Sequence, residues 1–172
     1  MSEPLIIDQA ALDAASDAAR ESPRGRRNRN FHAANESPCH RLLNAIEPGS
    51  YVAPHRHLDP AKDESIVILR GRLGCVFFDD TGRIERKCML SPNDTVGVDI
   101  PHGTWHSIVA LEPGTVFFEA KAGPYLPLSA DETAAWAPRE GEDGAAVFCA
   151  VLHSEFDWAL PGKAGSAGVS GR

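Results

Sequence analysis

His55 and His57 stand two residues apart in the run Tyr51-Val-Ala-Pro-His-Arg-His57, a spacing at which extended backbone turns both imidazoles to one face and Arg56 to the other. Glu64 opens the next apolar run, Glu64-Ser-Ile-Val-Ile-Leu-Arg70, and can reach the same place from a neighbouring strand. His106 closes the stretch Pro101-His-Gly-Thr-Trp-His106 and supplies a third imidazole. One His-x-His pair is weak, but three histidines and a carboxylate converging from separate strands make a mononuclear site of nitrogen and oxygen ligands. Such a set suits a divalent first-row ion (Fe, Mn, Ni, Co or Zn) without choosing among them. With one coordination position open, the ion acts as a Lewis acid or activates a water.

Further candidates surround this set. Glu119 and Lys121 share one face of a late strand, and Val116, Phe118 and Ala120 share the other. If the first face turns inward, the two charges pair near the pocket as acid and base; if outward, they are solvated. Tyr51 falls on the strand face of the histidines, where it either lines the cavity or packs as a core aromatic with one hydrogen-bonded hydroxyl. Arg24, Arg26, Arg27 and Arg29 form a basic cluster that reads as a solvated linker or as a guanidinium contact to an anionic group. His102 is expected to face solvent, and His32, His40 and His153 have no motif behind them. Trp105 and Trp136 are expected to pack.

Positioning these residues requires short strands. Asp8 to Arg20 reads as an amphipathic helix, with Asp8 as N-cap, Leu12, Ala15 and Ala19 on one face, and Ser22-Pro23 as the stop. From Phe31 strands are expected at 41–46, 50–57, 64–78 with a bend at Gly71 or Gly74, 84–90, 95–100, 106–111 and 115–122. Pro, Gly and Asp turns separate them without helices between, which argues for an antiparallel β-sandwich or barrel. Asp131 to Trp136 reads as a helical turn. Gly144 to Phe156 is a strand or a helix packed on the barrel, and its periodicity does not decide between them. The expected organisation is an N-terminal helix and basic linker over 1–30, a barrel over 31–130, an extension packed on it over 131–160 and a flexible tail over 161–172.

A chain of 172 residues with 42% hydrophobic and 24% charged residues suits one soluble domain. The net charge of -7 argues against non-specific nucleic-acid binding. No apolar stretch is long enough to span a membrane, and no signal peptide opens the chain, so a cytoplasmic location is expected. Cys39, Cys75, Cys88 and Cys149 lack paired spacing. With Phe78 opposite Arg83 in a hairpin, Cys75 would face Arg86 with Cys88 only diagonal to it, a register that does not favour a disulfide. Edge strands leave room for a homodimer.

Gly49, five residues, His55-Arg-His57, then Glu64, six residues and Gly71 resemble the first motif of the cupin superfamily. Here six residues separate His57 from Glu64, a longer gap than in the family, and Asp63 and Asp59 are the alternative carboxylates. Pro101-His-Gly103-Thr-Trp-His106 resembles the second motif, although Thr95 stands at its leading glycine and Ala110 at its usual asparagine. Arg41-Leu-Leu-Asn-Ala, Tyr51 to His57, Ile100 to His106, Phe118-Glu-Ala-Lys-Ala-Gly-Pro-Tyr125 and Trp136-Ala-Pro138 are more narrowly similar to the WbuC-type cupin-fold metalloproteins. The resemblance implies a single jelly-roll barrel with metal at His55, His57, Glu64 and His106, and a small-molecule ligand. It also implies work on an anionic sugar or sugar nucleotide, as an isomerase or epimerase in surface-polysaccharide (O-antigen, lipopolysaccharide) biosynthesis. An Fe(II)-dependent dioxygenase and a non-enzymatic metal or ligand-binding module are the alternatives.

Overall fold

Eight strands build two antiparallel sheets in a computed structural model that describes residues 3–157. They are β1 (Arg26–Asn30), β2 (Cys39–Ile46), β3 (Glu64–Arg70), β4 (Leu73–Phe78), β5 (Ile84–Leu90), β6 (Gly97–Ile100), β7 (Trp105–Ala110) and β8 (Thr115–Ala122). One sheet has the order β1-β2-β8-β3-β6 and the other β5-β4-β7. From β2 to β8 the chain repeatedly crosses between the two, the winding of a jelly-roll β-sandwich. Gly71 makes the reversal between β3 and β4 at φ +74°, where a Cβ would lie 2.4 Å from Thr115 Oγ1. The expected tail over 161–172 lies outside the described residues.

The strand expected over 50–57 is the main departure. This stretch stays extended, but its ladder shrinks to isolated bridges from His55 to His106 and to Thr133. Pro54 has no N–H to give, and the neighbours supply the remaining bonds. His55 exchanges backbone bonds with His106 at 3.0 and 2.9 Å, and Arg56 N–H donates to Glu132 O at 3.0 Å. The segment therefore lies against β7 as an irregular fourth member of the smaller sheet, and this brings His55 beside His106.

Other expectations are settled or corrected in detail. The basic cluster is neither a linker nor free: Arg26–Asn30 is the edge strand β1, and Arg24 and Arg26 both bind the Glu140 carboxylate. Gly144 to Phe156 contains the helix α2 (Ala145–Ser154), and Asp131 to Trp136 holds only a 3₁₀ turn at Ala130–Glu132. A bulge between Phe77 and Phe78 moves the hairpin register, so that Phe78 faces Ile84 and Cys75 faces Cys88 directly.

The N-terminal helix α1 (Gln9–Arg20) begins where Asp8 accepts a hydrogen bond from Ala11 N–H at 2.9 Å. Its Leu12, Ala15 and Ala19 cover the outer face of the larger sheet, meeting Leu43, Ala45 and Val116. Between the sheets lie Ile66, Ile68, Leu73, Cys75, Leu90, Ile100 and Phe117. On the outer face of the smaller sheet, Cys149 and Leu152 of α2 pack with Phe156 against Val76, Phe78 and Val109. Among the described residues no helix is long and apolar enough to cross a membrane.

Candidate metal centre

His55, His57 and Glu64 each place one ligand atom within 4.8 Å of the others. His106 Nε2 lies 4.0 Å from Glu64 Oε2, and the His55 and His106 rings are 4.4 Å apart between centroids. Three elements meet here: the extended stretch through His55 and His57, the start of β3, and β7. Glu64, rather than Asp63 or Asp59, is the carboxylate in the cluster. Asp63 Oδ1 instead accepts from His102 N–H at 2.8 Å and contacts the half-exposed His102 ring, while Asp59 accepts from Ala61 N–H. The long gap after His57 is taken up by a turn in which Lys62 N–H donates to Asp59 O.

The donor set fits a bound cation. His106 Nε2 is buried and has no hydrogen-bond partner, a costly state for a polar atom unless something coordinates it. His55 Nδ1 lies 3.0 Å from Ala53 O and His106 Nδ1 lies 2.9 Å from Thr104 O. A carbonyl can only accept, so each Nδ1 carries the proton and each Nε2 presents a lone pair, the tautomer that carbonyl-backed metal histidines use. Burial, together with the neighbouring His106, pushes His55 down to about 3, and burial also lowers His106. Both rings thus stay neutral and able to ligate. Burial works against ionisation of Glu64, but the His57 contact at 3.0 Å and the Lys121 charge outweigh it and hold the carboxyl well below its usual range.

Strand register explains the next shell. Directly paired residues share a face, so Glu64, Lys121 and His40 form one inward row and Ile66, Glu119 and Leu42 the next. Glu119 and Lys121 therefore turn inward: Lys121 Nζ lies 2.8 Å from Glu119 Oε1 and 3.3 Å from Glu64 Oε2. Asn44 donates to Glu119 Oε2 at 2.5 Å. Burial raises Glu119, with the nearby Glu64 charge adding to it. Burial opposes the Lys121 charge, yet Glu64 and Glu119 together hold it above the ordinary lysine range. A cavity of about 160 Å³ opens onto His55, Glu64, His106, Glu119 and Lys121. A mouth of about 400 Å³ beyond it is lined by His57, Lys62, Lys121, Tyr125, Leu126 and Leu128.

Tyr51 is not brought into the cluster. Its hydroxyl donates to Pro138 O at 2.7 Å and its ring packs on Phe148, with burial pushing its phenol up to about 12. Because the stretch is irregular rather than pleated, the alternation that put Tyr51 with the histidines does not hold. Trp105 packs as expected: Arg56 lies 4.3 Å over its ring and Asp80 accepts from its indole N–H. Sequence reasoning missed Asn44, and it placed Arg26 only in a basic cluster, without bringing it to the pocket that it lines. Both follow from register, since Arg26 and Asn28 of β1 face Ile46 and Asn44, but β1 itself had no apolar pattern to reveal it.

A family model described as "Domain of unknown function (DUF6016)" matches residues 7–90. Among curated proteins nothing matches. Similar solved structures include KdgF from Halomonas sp., 22% identical over 62% of this chain and 85% of that one, with a TM-score of 0.48. A protein of unknown function from Streptococcus pyogenes is 11% identical over 73% of this chain and 93% of that one, at 0.49. An oxalate decarboxylase from Bacillus subtilis is 21% identical at 0.44, with 56% of this chain matched to 24% of that one.

Proposed function

We propose that this protein is a mononuclear metal-binding cupin, in which His55, His57, Glu64 and His106 hold a divalent first-row ion. The observation that carries the reading is the buried, partnerless Nε2 of His106, beside a His55 ring whose tautomer is set by the Ala53 carbonyl. When bound, the ion supplies Lewis-acid polarisation of a ligand carbonyl or hydroxyl oxygen.

The catalytic reading builds on Glu119 and Lys121. Lys121, kept charged between two carboxylates, donates hydrogen bonds to an oxygen on which negative charge develops. Glu119, raised by burial, is the group suited to take a proton from a ligand carbon and return it. That pair serves an isomerisation or epimerisation of an anionic sugar derivative, with the substrate class coming from the resemblance to WbuC-type proteins. The inner cavity holds one small ring or acid, and any larger group of a sugar nucleotide occupies the mouth.

Nuclear magnetic resonance of metal-loaded protein in deuterated water, with hexuronic acids and sugar nucleotides as probes, tests this directly. Deuterium is expected at a carbon-bound position of one of them, independent of dissolved oxygen. It should be lost in Lys121→Met while metal content stays unchanged. No exchange with any probe, accompanied by oxygen uptake in the Fe(II) form, would replace the isomerase reading with a dioxygenase.

A further inference from the structure

The corrected hairpin register joins two cysteines that do not belong to the metal centre. Cys75 on β4 and Cys88 on the edge strand β5 are direct antiparallel partners and unbonded to any other cysteine. Direct partners share a face and keep their Cα atoms about 4.5 to 5.5 Å apart, inside the range a disulfide spans. Cys75 is fully buried in the core between the sheets, whereas Cys88 is only half-buried. Cys88 is thus the partly exposed member of the pair, on β5, whose outer edge pairs with no other strand among the described residues. The other two thiols are placed differently: Cys39 faces Ala122, and Cys149 is buried against Ser50 O.

We propose that Cys75 and Cys88 form a reversible dithiol–disulfide site oxidised by hydroperoxides, with Cys88 as the attacked thiol and Cys75 as the resolving one. The Cys88 sulfur attacks the terminal peroxide oxygen and the O–O bond breaks. The leaving oxygen takes the electron pair and a proton, and Cys88 becomes a sulfenic acid. Cys75 sulfur then attacks Cys88 sulfur, the S–O bond breaks, and hydroxide leaves with the Cys75 proton as water. Two thiols and one hydroperoxide thus give one disulfide, one water and one alcohol, or a second water from hydrogen peroxide. The neighbouring Cys75 thiol lowers Cys88 to about 7, with Arg86 contributing, which favours the thiolate that the first step needs. The resulting bond ties the edge strand β5 to β4 across the turn at Asp79–Gly82.

The full-length protein is reduced, freed of reductant, exposed to a modest excess of hydrogen peroxide, then denatured and alkylated with N-ethylmaleimide. Intact mass should show adducts per chain falling from four to two, restored by dithiothreitol. Peptide mapping should find Cys75 linked to Cys88. Cys88→Ser, treated alike, should retain Cys75 as an alkylated thiol. Four adducts after peroxide, or a loss confined to Cys39 or Cys149, would overturn the proposal. If Cys88→Ser does not fold, the linked peptide in the unsubstituted protein decides it alone.

Discussion

The orphaned His106 Nε2, the neutral His55 and the ionised Glu64 form a donor set of the kind that holds a cation. Lys121 sits at the hinge between that set and Glu119. In Lys121→Met two buried carboxylates lose their cation, and breaking a buried pair in this way costs about 3–5 kcal/mol. Denaturant unfolding is expected to show the full loss in chelated protein and a smaller one with metal present, because the ion then compensates Glu64. Equal losses in both forms would mean that Glu64 does not face the ion. The spacing and order of His55, His57, Glu64 and His106 pointed to one cluster, and the structure brings these four side chains together. For Tyr51 the reading as a packed aromatic with one hydrogen-bonded hydroxyl is the one the structure has, and the cavity reading fails because Pro54 and two isolated bridges replace a ladder.

Among the elements, the strand series was readable because turn residues punctuate it, and the bounds of β5 and β8 coincide with those expected. β1 was not readable. Arg-Arg-Asn-Arg-Asn has no apolar face, and it is a strand because it pairs with β2 and because Glu140 binds Arg24 and Arg26. The side-chain bond to Arg24, against some burial, brings Glu140 down to about 2 from an ordinary value near 4.5. A lowered carboxyl stabilises the fold above its unfolded value and loses that contribution as pH falls from about 4.5 towards 2. Thermal unfolding of Glu140→Gln compared with the unsubstituted protein should therefore differ at neutral pH and converge in acid. The neutral-pH difference should stay below about 1 kcal/mol, as for other solvent-exposed pairs. The helix α2 was ambiguous because its apolar residues run nearly all round, and contact with the sheet settles it. Phe156, fully buried just beyond α2, fills the space above Gly74. Phe156→Ala should cost about 3–5 kcal/mol in denaturant unfolding. Gly74→Ala should also destabilise, since a Cβ there would lie 2.5 Å from the Phe156 ring.

Across the whole molecule, the sandwich carries three apolar layers and a polar interruption, the cavity between the sheets onto which His55, Glu64 and His106 open. A ligand that binds only the folded state raises stability by mass action, about 2.7 kcal/mol at a hundredfold excess over its dissociation constant. The unfolding midpoint of chelated protein should thus climb with added Mn(II), Ni(II) or Zn(II), and fall back with a chelator. The most direct measurement is the metal content of purified protein by elemental mass spectrometry, beside a His55→Ala, His57→Ala double variant with a native circular dichroism spectrum. Close to one first-row ion per chain is expected in the unsubstituted protein and almost none in the variant. Equal metal content in the two proteins, or none in either after reconstitution, would contradict the site.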